Sequence, residues 1–190
     1  MEVRDRLYDI DDLWRIVSDP ANSDRRFELV EGELFEMAPP GEEHGQLSIM
    51  LGKYLFDFVQ ENQLGRVTAD TGYYPTEDRT TLLAPDIAFR RLEHTAAAPS
   101  QKWVPLMPDV AVEIKSPNDT MAELRRKAAI YLRNGTQRVW IVVPNSKSIE
   151  VCQLGEDDEI QRDVIAKDGM LSGENVLPGF ELPLAKLFAW

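Results

Sequence analysis

Three charged residues, Asp86, Glu113 and Lys115, form a pattern that could perform phosphate chemistry. Glu113 and Lys115 lie in DVAVEIK (109–115), where the alternation of a β-strand puts both on one face. Asp86 stands just inside the start of a second apolar strand, LLAPDIAF (82–89), and 26 residues separate it from Glu113 in the pattern PD…ExK. An alternative interpretation of Glu113 and Lys115 is an ion pair on a solvent-exposed strand face. The alternative for Asp86 is a structural aspartate at the edge of a strand. Charged groups on a covered strand, however, are costly unless they are paired or hold a metal.

A divalent cation explains why these residue types occur together. Mg²⁺ prefers oxygen ligands, and two carboxylates from neighbouring strands can supply them while leaving positions for water and a substrate phosphate. The ion lowers the pKa of a bound water and neutralises charge in the transition state. The Cα atoms of Lys115 and Glu113 are about 7 Å apart. From there the flexible Lys115 side chain could bring its ammonium close enough to orient water or stabilise negative charge. We therefore expect Asp86 and Glu113 to bind Mg²⁺ or Mn²⁺.

The surrounding sequence predicts an α/β fold with a core over about residues 42–143. The predicted core order is α-β-β-β-α-β, with helices over 42–62 and 120–134 and strands over 66–74, 85–89, 109–115 and 138–143. Thr120 and Glu123 have capping-box spacing at the start of the second helix, and Gly135 suits its end. A strand, a helix and a strand form a βαβ unit, so the last two strands should be parallel within a mixed sheet.

The flanking segments add elements on both sides of this core. We predict an N-terminal helix over 7–17, a β-hairpin in FELVEGELFEM (27–37) and a C-terminal β-hairpin over 148–154 and 160–165. At 190 residues the chain suits one α/β domain, so we assign residues 1–190 to a single domain.

The order of these motifs resembles the PD-(D/E)xK, or restriction-endonuclease-like, nuclease superfamily, and most closely its Uma-type family of bacterial endonucleases. The matching segments, over about residues 26–184, are FELVEGEL, His44, APDIAF, PDVAVEIKSP, Lys127 with Tyr131 and Gly135, RVWIVVP and LPGFELPL. The resemblance implies the restriction-endonuclease-like fold. It also implies Mg²⁺-dependent hydrolysis of DNA by metal-activated water, with Asp86, Glu113 and the carbonyl oxygen of Ile114 as metal ligands.

Two lysines are candidates for the catalytic position. Many members of the Uma-type family have an apolar residue at the position of Lys115, and a lysine on the following helix takes over. In this chain that residue is Lys127, which could equally be a surface lysine paired with Glu123 four residues earlier. We favour Lys115 because it matches the superfamily motif directly.

Further polar residues are weaker candidates. His44 falls on the inward stripe of the first core helix, where it either packs and caps or faces the metal site. Glu28 alternates away from its apolar neighbours, and the resemblance implies that an acidic residue of this region can touch the site. Asp109 lies about 13 Å upstream of Glu113, so we expect it to cap the strand. The four tryptophans, Trp14, Trp103, Trp140 and Trp190, fit core or tail anchors.

Composition narrows the function classes. The net charge of −12 argues against strong non-specific DNA binding. Residues 44–143, however, hold 11 acidic and 12 basic residues, so the motif-bearing segment is nearly neutral. A single cysteine and an N-terminus without an apolar stretch predict a cytoplasmic protein with no membrane segment.

Three functions therefore remain for the site. The first is an endonuclease acting on DNA, for which a homodimer fits by analogy, because two cuts on a duplex need two sites. The second is a catalytically inactive nuclease-fold module that binds a protein or nucleic-acid partner. The third is a metal hydrolase that acts on other substrates, since a fold does not fix a substrate.

Overall fold

The computed structural model describes residues 7–95 and 101–189 of the chain. The helices are α1 (Ile10–Val17), α2 (Glu42–Glu61), α3 (Met121–Arg133) and α4 (Leu184–Leu187). The strands are β1 (Arg26–Val30), β2 (Glu33–Met37), β3 (Gly65–Ala69), β4 (Ile87–Arg91), β5 (Val110–Ile114), β6 (Arg138–Val143), β7 (Ser148–Leu154), β8 (Ile160–Ile165), β9 (Met170–Ser172) and β10 (Glu181–Pro183). Among these residues, none of the helices combines the length and the apolarity that a bilayer crossing requires.

Six strands form one mixed sheet in the order β3-β4-β5-β6-β7-β8. β5 and β6 run parallel because α3 carries the chain back across the sheet, whereas the other neighbouring strands are antiparallel. From α2 to β6 the elements follow the order α-β-β-β-α-β. This order confirms the predicted core and its parallel pair, as well as the hairpins on either side.

Both faces of the sheet are covered at β5, which is buried along its whole length. Val110, Val112 and Ile114 pack in the cluster that includes the inward side chains of α2. Ala111 packs on the opposite face with side chains of α3. Glu113 alternates in phase with Ala111, so its carboxylate points into the face covered by α3. A carboxylate in such surroundings requires polar partners.

Two strand boundaries near the site differ from the sequence-based ranges. β3 ends at Ala69 and does not continue to Tyr74, because Asp70 adopts a left-handed φ of 47° that breaks the extended run. Tyr73 forms only isolated bridges, to Leu83 and Val104. β4 begins at Ile87 and not at residue 85. Asp86 therefore lies in the segment before the strand, where its carboxylate does not follow the alternation of the sheet.

The N-terminal helix and hairpin form a separate layer that packs beside the sheet. The β1–β2 turn is tight, with positive φ at both Glu31 and Gly32, as a two-residue hairpin requires. Reciprocal backbone hydrogen bonds between Leu29 and Leu82 dock the hairpin, and both side chains lie in a small apolar cluster with α1. Since neighbouring residues of a strand point in opposite directions, burying Leu29 in this cluster turns Glu28 the other way.

Candidate active site

Glu113 is a buried acidic residue at the centre of the site, with 5% of the residue exposed. The hydroxyl of Tyr131 donates a hydrogen bond of 2.9 Å to its Oε1 atom. Its Oε2 atom lies 3.5 Å from Nζ of Lys127. Both partners come from α3 and stand four residues apart, which places them on one face of that helix. The crossover helix of the βαβ unit thus supplies the polar partners that the buried carboxylate needs.

Lys127 binds a second carboxylate more closely. Its Nζ atom lies 2.6 Å from Oε2 of Glu28, and only 18% of the lysine side chain is exposed. The carboxylate of Glu123 instead accepts hydrogen bonds from the backbone and hydroxyl of Thr120 in the capping box of α3. The interpretation of Lys127 as a surface lysine paired with Glu123 is therefore wrong.

Glu28 is itself held in place by the main chain. Its Oε1 atom accepts a hydrogen bond of 3.0 Å from the backbone N–H of Ala84. Residue Ala84 precedes Asp86 by two positions, so Glu28 ties the hairpin to the segment that carries the first acidic residue of the motif. The structure thus brings Glu28 to the same cluster as Glu113 and Lys127.

Asp86 reaches the end of β5 through its side chain. Regular pairing of β4 with β5 stops at Ile87, which lies opposite Val112. The N–H of Ile114 lacks a strand partner beyond that point and donates to Oδ2 of Asp86 at 2.6 Å. The Asp86 carboxylate thus takes the place of a backbone acceptor, and this contact fixes it next to the end of the strand that bears Glu113.

His44 is the second partner of Asp86. Its Nε2 atom lies 3.2 Å from Oδ1, from the first turn of α2. Burial lowers the pKa of His44, but the hydrogen bond and the negative charge of Asp86 outweigh burial, so the net pKa is above 6.5. The other ring nitrogen, Nδ1, is buried and has no hydrogen-bond partner among the residues that the structure describes. The position of His44 beside Asp86 fits the interpretation in which this histidine faces the site.

Lys115 does not join this cluster. β5 ends at Ile114, and the Lys115 ammonium donates a hydrogen bond of 3.0 Å to the carbonyl oxygen of Ser116. Asp86, Glu113 and Lys127 line the main cavity together with Ile114, whereas Lys115 is absent from its lining. The two motif carboxylates, Asp86 and Glu113, therefore lie close to Lys127 of α3. The lysine of the motif, Lys115, does not.

Of the remaining polar and aromatic candidates, Trp103 lines the cavity, whereas Asp109, Trp14 and Trp140 do not. Asp109 sits at the far end of β5, where it accepts hydrogen bonds from the N–H of Arg91 and from Gln137 and pairs with His94. Trp140 is fully buried, and Trp14 packs edge-to-face on Trp103. Trp190 lies outside the described residues. The expected roles in strand capping and packing thus agree with the positions of Asp109 and Trp140.

The site opens to solvent through a cavity of about 670 Å³. The β1–β2 hairpin and α3 form two of its walls, and the clustered carboxylates lie among its lining residues. Its volume falls in the range of about 300–1,000 Å³ that is usual for ligand sites. The carboxylates are therefore enclosed but reachable.

The protonation state of Glu113 determines the net charge of the cluster. Burial raises the pKa of Glu113 to about 8; the Lys127 ammonium opposes this rise, and the carboxylates of Glu28 and Asp86 add to it. Burial lowers the pKa of Lys127, but the charges of Glu113 and Glu28 more than compensate and raise it above its usual value. Once Glu113 is ionised, the Lys127 ammonium faces three neighbouring carboxylates, those of Glu28, Asp86 and Glu113, and a further cation would balance their charge.

A divalent metal ion fits these donors. Asp86 and Glu113 offer carboxylate oxygens and Ile114 a carbonyl oxygen, which is the hard donor set that Mg²⁺ and Mn²⁺ accept. Within residues 7–95 and 101–189, no three His, Cys, Asp or Glu side chains are grouped as a complete ligand set. Two protein carboxylates are usual for Mg²⁺, because the ion keeps several waters and binds substrate phosphate.

The mixed sheet in this order, with acidic residues at the ends of its inner strands, defines the restriction-endonuclease-like fold. The chain belongs to the Uma2 family, described as "Putative restriction endonuclease", which it matches over residues 11–185. This match confirms the resemblance seen in the sequence and supports a nuclease role.

A solved structure shows the same fold. The "putative nuclease belonging to DUF820" from Anabaena variabilis is similar over 96% of this chain and 98% of its own, with 16% identity and a TM-score of 0.79. No curated protein matches the sequence.

Sequence reasoning did not assign Tyr131 to the site. The signal was its spacing of four residues from Lys127 on a helix that must cover β5. The ion pair between Lys127 and Glu28 had no comparable signal, because it depends on how the hairpin docks against the sheet.

Proposed function

We propose that this chain is a Mg²⁺- or Mn²⁺-dependent endonuclease that hydrolyses DNA phosphodiesters, with Asp86, Glu113 and Lys127 as its catalytic residues. The observation that carries the proposal is the convergence of these three side chains in one open cavity of about 670 Å³. The proposal replaces Lys115 by Lys127, because only Lys127 contacts a carboxylate of the motif.

Each residue has a defined task. Asp86 and Glu113 would hold the ion, with the carbonyl of Ile114 as a third ligand. The bound ion would supply an activated water and neutralise the charge that develops on the phosphate. Asp86 is kept in position by the N–H of Ile114, and Glu113 by the hydroxyl of Tyr131. A pKa near 8 means that Glu113 must release its proton to become a full ligand at neutral pH.

Lys127 provides the positive charge of the site. Its ammonium lies between the carboxylates of Glu28 and Glu113, so its position is fixed before the substrate arrives. A fixed ammonium can orient the attacking water or stabilise a phosphate oxygen without the cost of reorganisation. Glu28 and His44 act as positioning residues, the first through Lys127 and the second through Asp86.

The test is cleavage of plasmid and oligonucleotide DNA by the full chain with Mg²⁺ or Mn²⁺. We expect Asp86→Ala, Glu113→Gln and Lys127→Met to abolish cleavage, and Lys115→Met to retain it as the matched lysine control. The proposal is wrong if the wild type cuts no DNA with either ion and neither ion shifts its melting temperature. Cleavage of phosphomonoesters alone would indicate a different metal hydrolase.

A second candidate is a module of the same fold that binds a partner without cutting. The observation in its favour is that the hydroxyl of Tyr131 and the ammonium of Lys127 already satisfy the Glu113 carboxylate without any ion. A cleavage activity that Asp86→Ala removes, while the variant keeps its fold by circular dichroism, would exclude this candidate.

A further inference from the structure

The β1–β2 hairpin places exposed apolar side chains beside the acidic cluster. Phe35 lies directly opposite Glu28 across the antiparallel pair, and Met37 lies opposite Arg26. Directly opposed residues project from the same face of a sheet. Phe35 and Glu28 therefore project from the same face of the hairpin. Phe35 and Met37 both line the cavity, and they are 41% and 37% exposed.

The basic residues that line the cavity are already neutralised. Each arginine of the lining pairs with a carboxylate: Arg25 with Glu36, Arg26 with Asp70, and Arg126 with Glu31. A duplex binder gains affinity from many Lys and Arg side chains that replace counterions on the two phosphate strands. Here a phosphate would compete with a carboxylate at each arginine. The residues around the cavity thus offer apolar surface in place of free positive charge.

The reacting groups also lie too deep for a continuous duplex. Glu113 is 5% exposed, and the side chains of Asp86 and Lys127 are each 18% exposed. Hairpin and helix walls enclose them in a cavity of about 670 Å³. A volume of this size takes a ligand of drug or cofactor dimensions, which corresponds to one or two nucleotides. A strand whose bases are unpaired can insert a phosphate with its base, whereas a stacked duplex cannot.

We propose that the DNA strand enters this site unpaired, with a base stacked on Phe35. The proposal rests on the nuclease function proposed above and specifies the form of its substrate. Aromatic stacking needs no base sequence, because every base has a π-face. Stacking thus provides affinity for DNA, which a chain with a net negative charge cannot obtain from electrostatic attraction alone.

The first experiment compares the cleavage of one oligonucleotide sequence in three forms. The full chain with Mn²⁺ receives it as a single strand, as a continuous duplex, and as a duplex with a central unpaired bubble. We expect the single strand and the bubble to be cut about tenfold or more faster than the duplex, the scale of one lost base stack. Equal or faster cleavage of the duplex would overturn the proposal.

The second experiment tests the role of Phe35. Phe35→Ala should raise KM for the single strand about tenfold and change kcat less than about twofold, and Phe35→Trp should restore KM. Phe56→Ala is the matched control, because Phe56 is 49% exposed on α2 and does not line the cavity. An unchanged KM in Phe35→Ala would overturn the proposal. A merely structural role would instead lower the melting temperature of Phe35→Ala.

Binding without cleavage separates the two proposals. Fluorescence anisotropy with Ca²⁺ in place of Mn²⁺ measures the Kd of a labelled single strand. If no DNA form is cut but Phe35→Ala weakens this binding about tenfold, the nuclease proposal fails and the binding mode stands. If DNA is cut but the Kd is unaffected by Phe35→Ala, the binding mode fails and the nuclease proposal stands.

Discussion

Lys127 of α3 and Glu28 of β1 form a largely buried ion pair, with 2.6 Å between Nζ and Oε2. This contact joins the N-terminal hairpin to the helix that covers β5, and these two elements are far apart in the sequence. The same ammonium lies 3.5 Å from Glu113. The hairpin is therefore a structural part of the site, since it supplies the carboxylate that holds the lysine in place.

Lys127→Met tests whether this lysine serves the site and the fold together. Its removal leaves the carboxylates of Glu28 and Glu113 buried without their cation. Breaking a buried pair in this way costs about 3–5 kcal/mol. We expect urea denaturation to show a loss of that order, together with loss of cleavage.

Lys115→Met is the control for this variant. Its ammonium contacts the carbonyl oxygen of Ser116 and has no carboxylate partner in the cluster. We expect its free energy of unfolding to change by less than about 1 kcal/mol, with cleavage retained. A loss of cleavage in Lys115→Met with normal activity in Lys127→Met would reverse the assignment of the two lysines.

The sequence predicted Glu113 better than it predicted the lysine, and the structure shows why. Alternation along β5 and the βαβ rule depend on local sequence, and they placed Glu113 beneath α3. Lys115 lies one residue beyond the end of β5, where alternation no longer determines direction. The competing assignment of Lys127 to Glu123 was wrong because Glu123 is already bound by Thr120. The partner that Lys127 does bind depends on tertiary docking of the hairpin, which no local pattern encodes.

The pKa of Glu113 predicts how stability depends on pH. Its pKa is about 8 in the folded protein, above the ordinary value of 4.5. The folded state therefore binds this proton more tightly than the unfolded state. The resulting stability is fully present below pH 4.5 and is lost as the pH rises through 8. We expect Glu113→Gln, which cannot ionise, to gain stability relative to the wild type between pH 5 and pH 9.

The measurement is the difference in the free energy of unfolding between wild type and Glu113→Gln across this range, without metal. Taking the difference cancels the titration of groups that both proteins share, such as His44. A difference that stays constant with pH would show that Glu113 keeps an ordinary pKa in the fold.

Tyr131→Phe isolates the hydrogen bond to Glu113. The hydroxyl stabilises the ionised carboxylate, so its removal should raise the pKa of Glu113 further and weaken its affinity for a cation. Loss of such a contact behind a metal ligand typically costs about 10–100-fold in affinity. Calorimetric titration with Mn²⁺ measures the change. Tyr54→Phe on α2 is a matched control, and an equal loss of affinity there would show a general effect of removing a hydroxyl.

Metal binding should itself depend on pH, because a carboxylate must lose its proton to act as a ligand. At pH 6.5 Glu113 is largely protonated, since its pKa is about 8, and Mn²⁺ must displace that proton. At pH 8.5 most of the protein has already released it, so binding is tighter. We expect the rise in melting temperature caused by a fixed Mn²⁺ concentration to be larger at pH 8.5 than at pH 6.5.

The number of protons released on Mn²⁺ binding can be measured by calorimetric titration in buffers of different ionisation enthalpy. This number should approach one per bound ion at pH 6.5. Asp86→Asn should abolish the thermal shift at both pH values because it removes a ligand, although loss of the Asp86 charge also lowers the pKa of Glu113. A shift that survives in Asp86→Asn would place the ion away from the cluster formed by Asp86, Glu113 and Lys127.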